Sequence, residues 1–496
     1  MLRILGSEKR LCNGMSRRDL LEIGGAGLAG LSLPQLLQSR AQASADGGDH
    51  FGRAKNCIIL FLYGSPSQLE TFDMKPEAPV EVRGTMQPIP SNVPGLDVCE
   101  HLPQMARMMD KVTVLRSLHH EHPIHGVAWA MTGTSVIDVN MELSPNDPKH
   151  HPYFGSVVEY HDRLKRGGLT TQPQNVALPF QFSSQRTGEV FRAGPYAAYL
   201  GSTYNPLWTE YEGSASRSVH KTLGATSKDI WDPYVASKPE SYFRMAATTL
   251  PEGMTIDRLD RRRSLQQQLD HTRRDLQMLD KSRTMNNFEQ VAYSLLSSRK
   301  VSDSLDVRRE TESLREAYGH SLFGQSCLAA RRMVEAGTRL VSVFWDEYGL
   351  AGDAWDTHYN HYPRMKEQLL PQFDKAFSGL ICDLDERGLL DETLVVCLSE
   401  HGRTPALANV GGGGRDHWSR AYSALLAGGG IARGRVVGAT DKIASDVTSN
   451  PVGPKDVLAT MYHLLGIEPH GFLPDKTGRP QPMLPDGSRV LTELFA

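Results

Sequence analysis

The chain has few of the features that would assign it a class at sight. It holds only six cysteines in 496 residues, none at CxxC or zinc-ribbon spacing, which excludes a thiolate metal centre and a disulfide scaffold. Cys12 lies in the N-terminal stretch. Of Cys57, Cys99, Cys327, Cys382 and Cys397, three stand in apolar runs, where cysteine acts as a small core residue, and one bridge is compatible with an oxidising compartment. The net charge is only −3, with no electrostatic footprint for nucleic acid or an anionic membrane. Beyond the N-terminus no apolar run approaches the ~20 residues a bilayer requires, and no heptad pattern is long enough to argue an oligomer. What is present, 40% apolar and 22% charged residues, is the balance of an ordinary globular protein.

The N-terminus predicts export. Arg17 and Arg18 precede a short, glycine-rich apolar stretch from Ile23 to Leu33, and Ala41, Ala43 and Ala45 supply small residues for cleavage. This is the pattern of a twin-arginine (Tat) leader over residues 1–45, too short and too weakly apolar to anchor the chain. The Tat machinery is then a partner in export. The destination is periplasmic or extracellular, with no membrane association after cleavage.

The rest, 46–496, reads as one α/β domain. Continuous apolar runs at 56–63, 112–115, 340–345, 394–398 and 421–427 have the character of strands buried on both faces. Helical patterns at 102–109, 126–131, 305–336, 365–387 and 454–465 alternate with them, which predicts a large, mostly parallel sheet sandwiched by helices. Residues 138–250 carry long insertions rich in Pro, Gly, Ser and Tyr. A charged helical segment follows at 256–336; its interleaved acids and bases mark a solvated helix face.

Three carboxylate and imidazole pairs stand out in the last third: Asp356 with His358, Glu400 with His401, and Asp416 with His417. The first two follow apolar runs, at the edge where open α/β sheets bind ligands. Glycines crowd all three, at Gly349 and Gly352, at Gly402, and at Gly411–Gly414, as loops folded closely around a site require. Mixed imidazole and carboxylate donors suit Zn²⁺, Mn²⁺ or Fe, whereas carboxylates alone lean to Mg²⁺ or Ca²⁺. A divalent cation is therefore expected, with Zn, Mn, Ca and Mg all open. A histidine-rich loop, with His119, His120, His122 and His125, precedes the helix expected at 126–131.

Taken together these segments resemble one family. Leu11-Cys12-Asn13-Gly14 before the twin arginines, Gly64-Ser65-Pro66-Ser67 with Thr71-Phe72-Asp73, Thr132-Gly133, Trp355-Asp356-Thr357-His358, Glu400 to Pro405, and Gly414-Arg415-Asp416-His417-Trp418 are similar to the exported proteins grouped as domain of unknown function 1501. That family is related to sulfatases within the alkaline phosphatase superfamily. The resemblance implies a sulfatase-like fold with metals at the carboxyl edge of its sheet. It further implies one metal on Asp356, His358 and His417 and a second on Glu400 and His401, with Asp416 as a ligand or as a partner orienting a histidine.

The chain departs from the sulfatase pattern where a Cys or Ser nucleophile and a following Arg belong, since His122-Pro123-Ile124-His125 stands there. The first strand also ends in Tyr63-Gly64-Ser65, leaving Glu70 or Asp73 as more distant substitutes for the usual acidic ligand. His122 or His125 is then expected as general acid/base or nucleophile, with Ser65 and Ser67 as other candidate nucleophiles. Arg403 is expected either to fork an anionic group of the substrate or to pair internally with a carboxylate. Two functions remain open: an exported metal-dependent hydrolase of sulfate or phosphate-type esters, with an anionic ester or sulfated glycan as substrate, and a non-catalytic member of the fold that binds a metal or an anionic glycan. N-terminal sequencing of exported protein is expected to start beyond residue 45. An intact Met1 outside the cytoplasm would remove the cleavage site, and unimpaired export of the Arg17→Lys/Arg18→Lys variant would remove the Tat route.

Overall fold

Eight segments join one sheet: β1 (Asn56–Leu62), β2 (Val112–Leu118), β3 (Asn175–Leu178), β4 (Leu207–Trp208), β5 (Leu340–Trp345), β6 (Thr393–Leu398), β7 (Tyr422–Ala427) and β8 (Arg435–Val437). Their spatial order is β8-β2-β7-β6-β1-β5-β3-β4. The computed structural model describes residues 50–123, 125–134, 139–145, 147, 149–168, 170, 172–187, 192–223, 226–245 and 299–496. The leader and the helical segment expected at 256–298 lie outside them.

The central strand β1 is buried at every position after Asn56, and its neighbours β5 and β6 are buried throughout. Each fully buried Leu, Val, Ile or Phe in them contributes roughly 1.5–3 kcal/mol relative to exposure. Strand β7 runs antiparallel to β2 and β6, and the other pairings are parallel. The sheet is thus mostly parallel, as the apolar runs imply.

Helices cover both faces. Side chains alternate along β5: Trp345 meets Phe323 of helix Leu322–Glu335 at 4.9 Å, while Ser342 is bonded by Tyr153, the residue before helix Phe154–Arg166. On that second face Phe154 packs on Tyr462 of helix Pro454–Leu464 at 4.6 Å.

Helix boundaries differ from the sequence expectation where local chemistry intervenes. The pattern at 305–336 is broken into Glu312–Tyr318 and Leu322–Glu335, because Gly319 takes φ +83° and Ser321 caps the second helix through Gly324 N–H. The helix expected at 365–387 opens as a π-turn, Met365–Leu369, before the α-helix Leu370–Glu386. Pro371 lacks an N–H and crowds the carbonyl four residues earlier, which a wider turn relieves. The 181–250 region is less irregular than its composition implies: it adds edge strand β4 and two antiparallel pairs, Glu210–Glu212 with Tyr242–Arg244 and Ser218–Leu223 with Thr226–Trp231.

The register decides where the site lies. Leu62 pairs with Trp345 and Phe61 with Leu398, so β1, β5 and β6 end side by side. The residues that follow, Tyr63-Gly64-Ser65, Asp346-Glu347 and Ser399-Glu400-His401, emerge at one edge. There Trp355 N–H donates to Tyr63 O at 3.0 Å and Gly64 N–H to Glu400 Oε1 at 2.8 Å. Gly64 has φ +91°, and a Cβ on it would fall 2.3 Å from Asp356 N. Gly64→Ala is therefore expected to cost at least ~1–3 kcal/mol from backbone strain alone, read as a lowered denaturant midpoint with an unchanged slope.

Candidate metal centre

Four imidazoles converge beyond the ends of β1 and β6. Among the described residues, ligand atoms of Asp356, His358 and His417 lie within 4.8 Å of one another, and so do those of His125, His401 and His417. His358 Nε2 is 3.1 Å from His417 Nε2 and 3.0 Å from Asp356 Oδ1, and His417 Nε2 is 3.3 Å from the same oxygen. On the far side of Asp356, His125 Nε2 stands 3.3 Å from Oδ2.

The nitrogens facing away from this centre are all held. His358 Nδ1–H donates to Asp416 Oδ1 at 2.6 Å, His417 Nδ1–H to Pro123 O at 3.3 Å, His401 Nδ1–H to Gly402 O at 2.8 Å, and His125 Nδ1–H to Glu400 Oε1 at 2.8 Å. A ring fixed in this way turns its Nε2 lone pair inward, as metal-binding histidines do. His401 Nε2 and Glu400 Oε2 are buried and make no hydrogen bond. Unmatched buried atoms of this kind are costly unless a cation or another polar group meets them. The donor set therefore fits a divalent transition metal.

The electrostatics leave His401 and His417 neutral beside an ionised Asp356, whereas His358 and His125 are pushed toward the protonated form. Burial, then the neighbouring charges of His125 and His417, hold His401 well below the usual imidazole range, and burial also lowers His417. His358 is raised, chiefly by its hydrogen bond to Asp356. Burial opposes ionisation of Asp356, but Arg403 and His125 outweigh it and hold the carboxyl well below its normal value. His125 is likewise pulled down by burial, yet the Asp356 charge and hydrogen bonds to Asp356 and Glu400 raise it to about 9.

Several expectations need correction. Arg403 is wholly buried and does not present a fork to substrate: Nε donates to Ser65 O at 3.1 Å, Nη1 to Arg415 O at 3.1 Å, and Nη2 to Gly64 O and, at 2.5 Å, to Asp356 Oδ1. Its role is the internal pair. His122 is exposed, with its ring against Trp129 and outside both ligand groups, because the chain turns inward only at His125. Asp416 accepts from His358 and lies outside both ligand groups. Glu400 lies outside both ligand groups; its Oε1 is taken by Gly64 N–H and His125 while Oε2 stays unmatched, and His401 converges with His125 and His417. Glu70 is locked between Arg415 and His361, and Asp73 is taken by Lys75 and Thr440, so neither replaces the acidic ligand. Ser65, at φ +70°, is buried and accepts the His401 N–H at 3.1 Å. Ser67 is also buried.

Other residues join the site beyond those assigned a role above. His120 is buried and neutral, lowered to about 3 by burial; its Nε2–H donates to Glu400 O at 2.7 Å and its Nδ1 accepts His122 N–H. Tyr63 stacks on His125 at 5.1 Å. Beyond it the polar cluster continues through Glu347 paired with Arg186 at 3.1 Å and Glu142 paired with Arg192. Asp346-Glu347 follow β5 as directly as Ser399-Glu400-His401 follow β6, a signal present in the sequence. Arg186, Arg192 and Glu142 come from the insertions and carry none.

A family model described as a protein of unknown function (DUF1501) matches residues 54–495. The chain belongs to this family. None of the curated proteins matches it. Solved structures similar to the DUF1501 chain include a sulfatase from Pseudoalteromonas sp., 11% identical over 92% of this chain and 74% of that one, TM-score 0.37. A second comes from work on the metabolism of multiple glycosaminoglycans by Bacteroides thetaiotaomicron, 12% identical over 89% and 76%, TM-score 0.40. A third is a phosphonate monoester hydrolase from Silicibacter pomeroyi, 11% identical over 89% and 76%, TM-score 0.34.

Asp346 gives the DUF1501 chain a testable pH dependence. Burial and the charge of Glu347 beside it raise its carboxyl from 3.8 to about 7. Below pH ~4 folded and unfolded chains are both protonated there and the group is neutral to stability. Between ~4 and ~7 the unfolded chain ionises first, so stability falls with rising pH, and above ~7 the loss is complete. Asp346→Asn is expected to remove that fall, seen as a melting-temperature difference from wild type that grows from pH 5 to pH 8 in chelator.

Proposed function

We propose that this protein is an exported, metal-dependent hydrolase of sulfate or phosphate-type esters, with anionic glycan esters as the substrate class. The observation that carries the proposal is the convergence of Asp356, His358, His417, His125 and His401, with His401 Nε2 buried and unmatched. A divalent cation bound here would supply Lewis acidity and positive charge where an ester oxygen becomes negative. Asp356, His358 and His417 would hold it, with His401 beside them in the group it forms with His125 and His417.

The chain's own part in the reaction is proton handling and orientation. His125 is gripped at Nδ1 by Glu400, while its Nε2 stands 3.3 Å from Asp356 Oδ2, so Nε2, shared with Asp356, is the nitrogen that would exchange a proton with the substrate or an attacking water. Glu400 fixes the tautomer and balances the imidazolium, the role of the carboxylate in an acid/base dyad. The burial of His125, His401 and Asp356 keeps bulk water away, which strengthens each electrostatic contact. Among the described residues the candidate nucleophiles Ser65 and Ser67 are buried, and this lack of an exposed hydroxyl at those positions favours direct attack by water over a covalent route. The same lack supports the second reading, a metal- or anionic-glycan-binding protein without catalysis.

Metal content decides the centre. His358→Ala and His417→Ala are each expected to lose most of one bound equivalent, while His101→Ala, outside the centre, retains it. Asp416→Ala should fall between them, weakening the site ~10- to 100-fold through loss of the His358 partner. His125→Ala is expected to keep the metal and lose hydrolysis by ~10²–10⁴-fold, assayed on p-nitrophenyl sulfate, p-nitrophenyl phosphate and a phenylphosphonate ester. Full occupancy in both ligand variants would end the proposal. A loaded wild type inert on all three esters and on sulfated oligosaccharides would select the binding reading.

A further inference from the structure

The loop that presents Asp356 and His358 is held from outside the sheet as well as by it. The hairpin formed by Ser218–Leu223 and Thr226–Trp231 reaches this loop from the long insertion. His220, Lys228, Asp229 and Trp231 are exposed on it, whereas Val219, Lys221 and Ile230 are buried. An inward position of a strand ordinarily takes an apolar residue, and a lysine persists there only when its ammonium is fully matched.

Lys221 meets that condition on the metal-side loop. Its three N–H groups go to Asp232 Oδ2 at 2.7 Å, to Tyr348 O at 2.9 Å, and to Asp353 Oδ2. Asp353 Oδ1 accepts from Arg364 Nη2 at 3.0 Å, and Arg364 Nη1 donates to Asp356 O at 2.9 Å. A continuous line of buried charge therefore joins the hairpin to the backbone of a candidate ligand. Two further contacts run beside it. Asn360 Nδ2 donates to Thr222 Oγ1 at 2.7 Å, and Gly349 lies so close to Ile230 that a Cβ there would stand 3.0 Å from it.

We propose that Lys221 is a positioning residue for the metal centre: it pins the hairpin to Tyr348 and Asp353 and so holds the 348–360 loop with Asp356 and His358 directed inward. The assignment rests on the metal reading above. Lys221 has no donor left for substrate, and it acts only through the loop. Lys221 and Arg364 balance Asp232 and Asp353, so removing the lysine alone strands a buried carboxylate. Coupling is reciprocal, and metal that holds the loop must also hold the hairpin.

The test uses the mature chain with Zn²⁺ as probe. The charge-balanced variant Lys221→Met/Asp232→Asn leaves Asp353 matched to Arg364 and avoids the stranded carboxylate; Lys221→Arg and Lys228→Met serve as rescue and control. Zinc affinity is measured by chelator competition, and amide hydrogen exchange is followed in chelator-treated protein. The double variant is expected to bind zinc about 10- to 100-fold more weakly and to exchange faster at both 218–231 and 348–360, with β1, β5 and β6 unchanged. Lys221→Arg should recover most of the affinity, and Lys228→Met should match wild type. Wild-type zinc affinity in the folded double variant, or faster exchange confined to the hairpin, would overturn the assignment. If wild type binds no zinc, the metal reading fails by itself, and unchanged exchange at 348–360 in the double variant then overturns the anchoring role separately.

Discussion

The buried pair of Arg403 and Asp356 is the constraint on which the site depends. Arg403 follows β6 and Asp356 follows β5, and the turn after β1, the strand between them, supplies two of the carbonyls that Arg403 binds. One guanidinium thus joins three strand ends and, through Arg415 O, the loop bearing His417. Without it Asp356 would be a buried carboxylate among imidazoles, an arrangement whose desolvation cost the histidines alone would have to offset. With it the carboxylate stays ionised and its two oxygens face opposite imidazoles, His358 and His417 at one and His125 at the other.

The second level of organisation is tautomeric. Each imidazole is held at Nδ1 by a different acceptor, two carboxylates and two backbone carbonyls, and the four Nε2 atoms are left facing one place. The acceptors come from separate loops: Asp416 beside the last histidine, Gly402 next to His401, Pro123 in the histidine loop, and Glu400 after β6. Arg415, buried against Glu70 and bonded to the carbonyls of Thr404, Pro405 and Val82, fixes the course of the loop that delivers His417. Packing of this kind sets ring directions before any ligand arrives, which is the structural content of preorganisation.

The insertions add an outer layer to this edge of the sheet. From them come Arg186, Arg192 and Glu142, in ion pairs beside Tyr63, and the hairpin carrying Lys221. The strands alone place the ligand loops side by side. The insertions pack against those loops through Lys221, Thr222 and Ile230, and they add further buried charges to those at the strand ends.

Much was legible in the residues themselves. Continuous apolar runs announced a parallel sheet because strands buried on both faces need no alternation, and Asp356, His358 and His417 stood out because metal-type side chains seldom cluster after such runs without a site. Gly319, Ser321 and Pro371 are local signals for the helix break and the π-turn, although the apolar pattern alone read both stretches as continuous helices. Tertiary structure alone decided the rest. Arg403 and a substrate-binding arginine look the same in sequence, and only the placement of Gly64, Ser65 and Asp356 around it shows that its donors are used internally. His122 and His125 differ by three residues in a single loop, yet one faces solvent and the other bridges two carboxylates, because the chain enters the sheet edge between them. Lys221 carried no local signal at all, since a lysine in a polar hairpin is ordinary until Asp232, Asp353 and Tyr348 are folded against it.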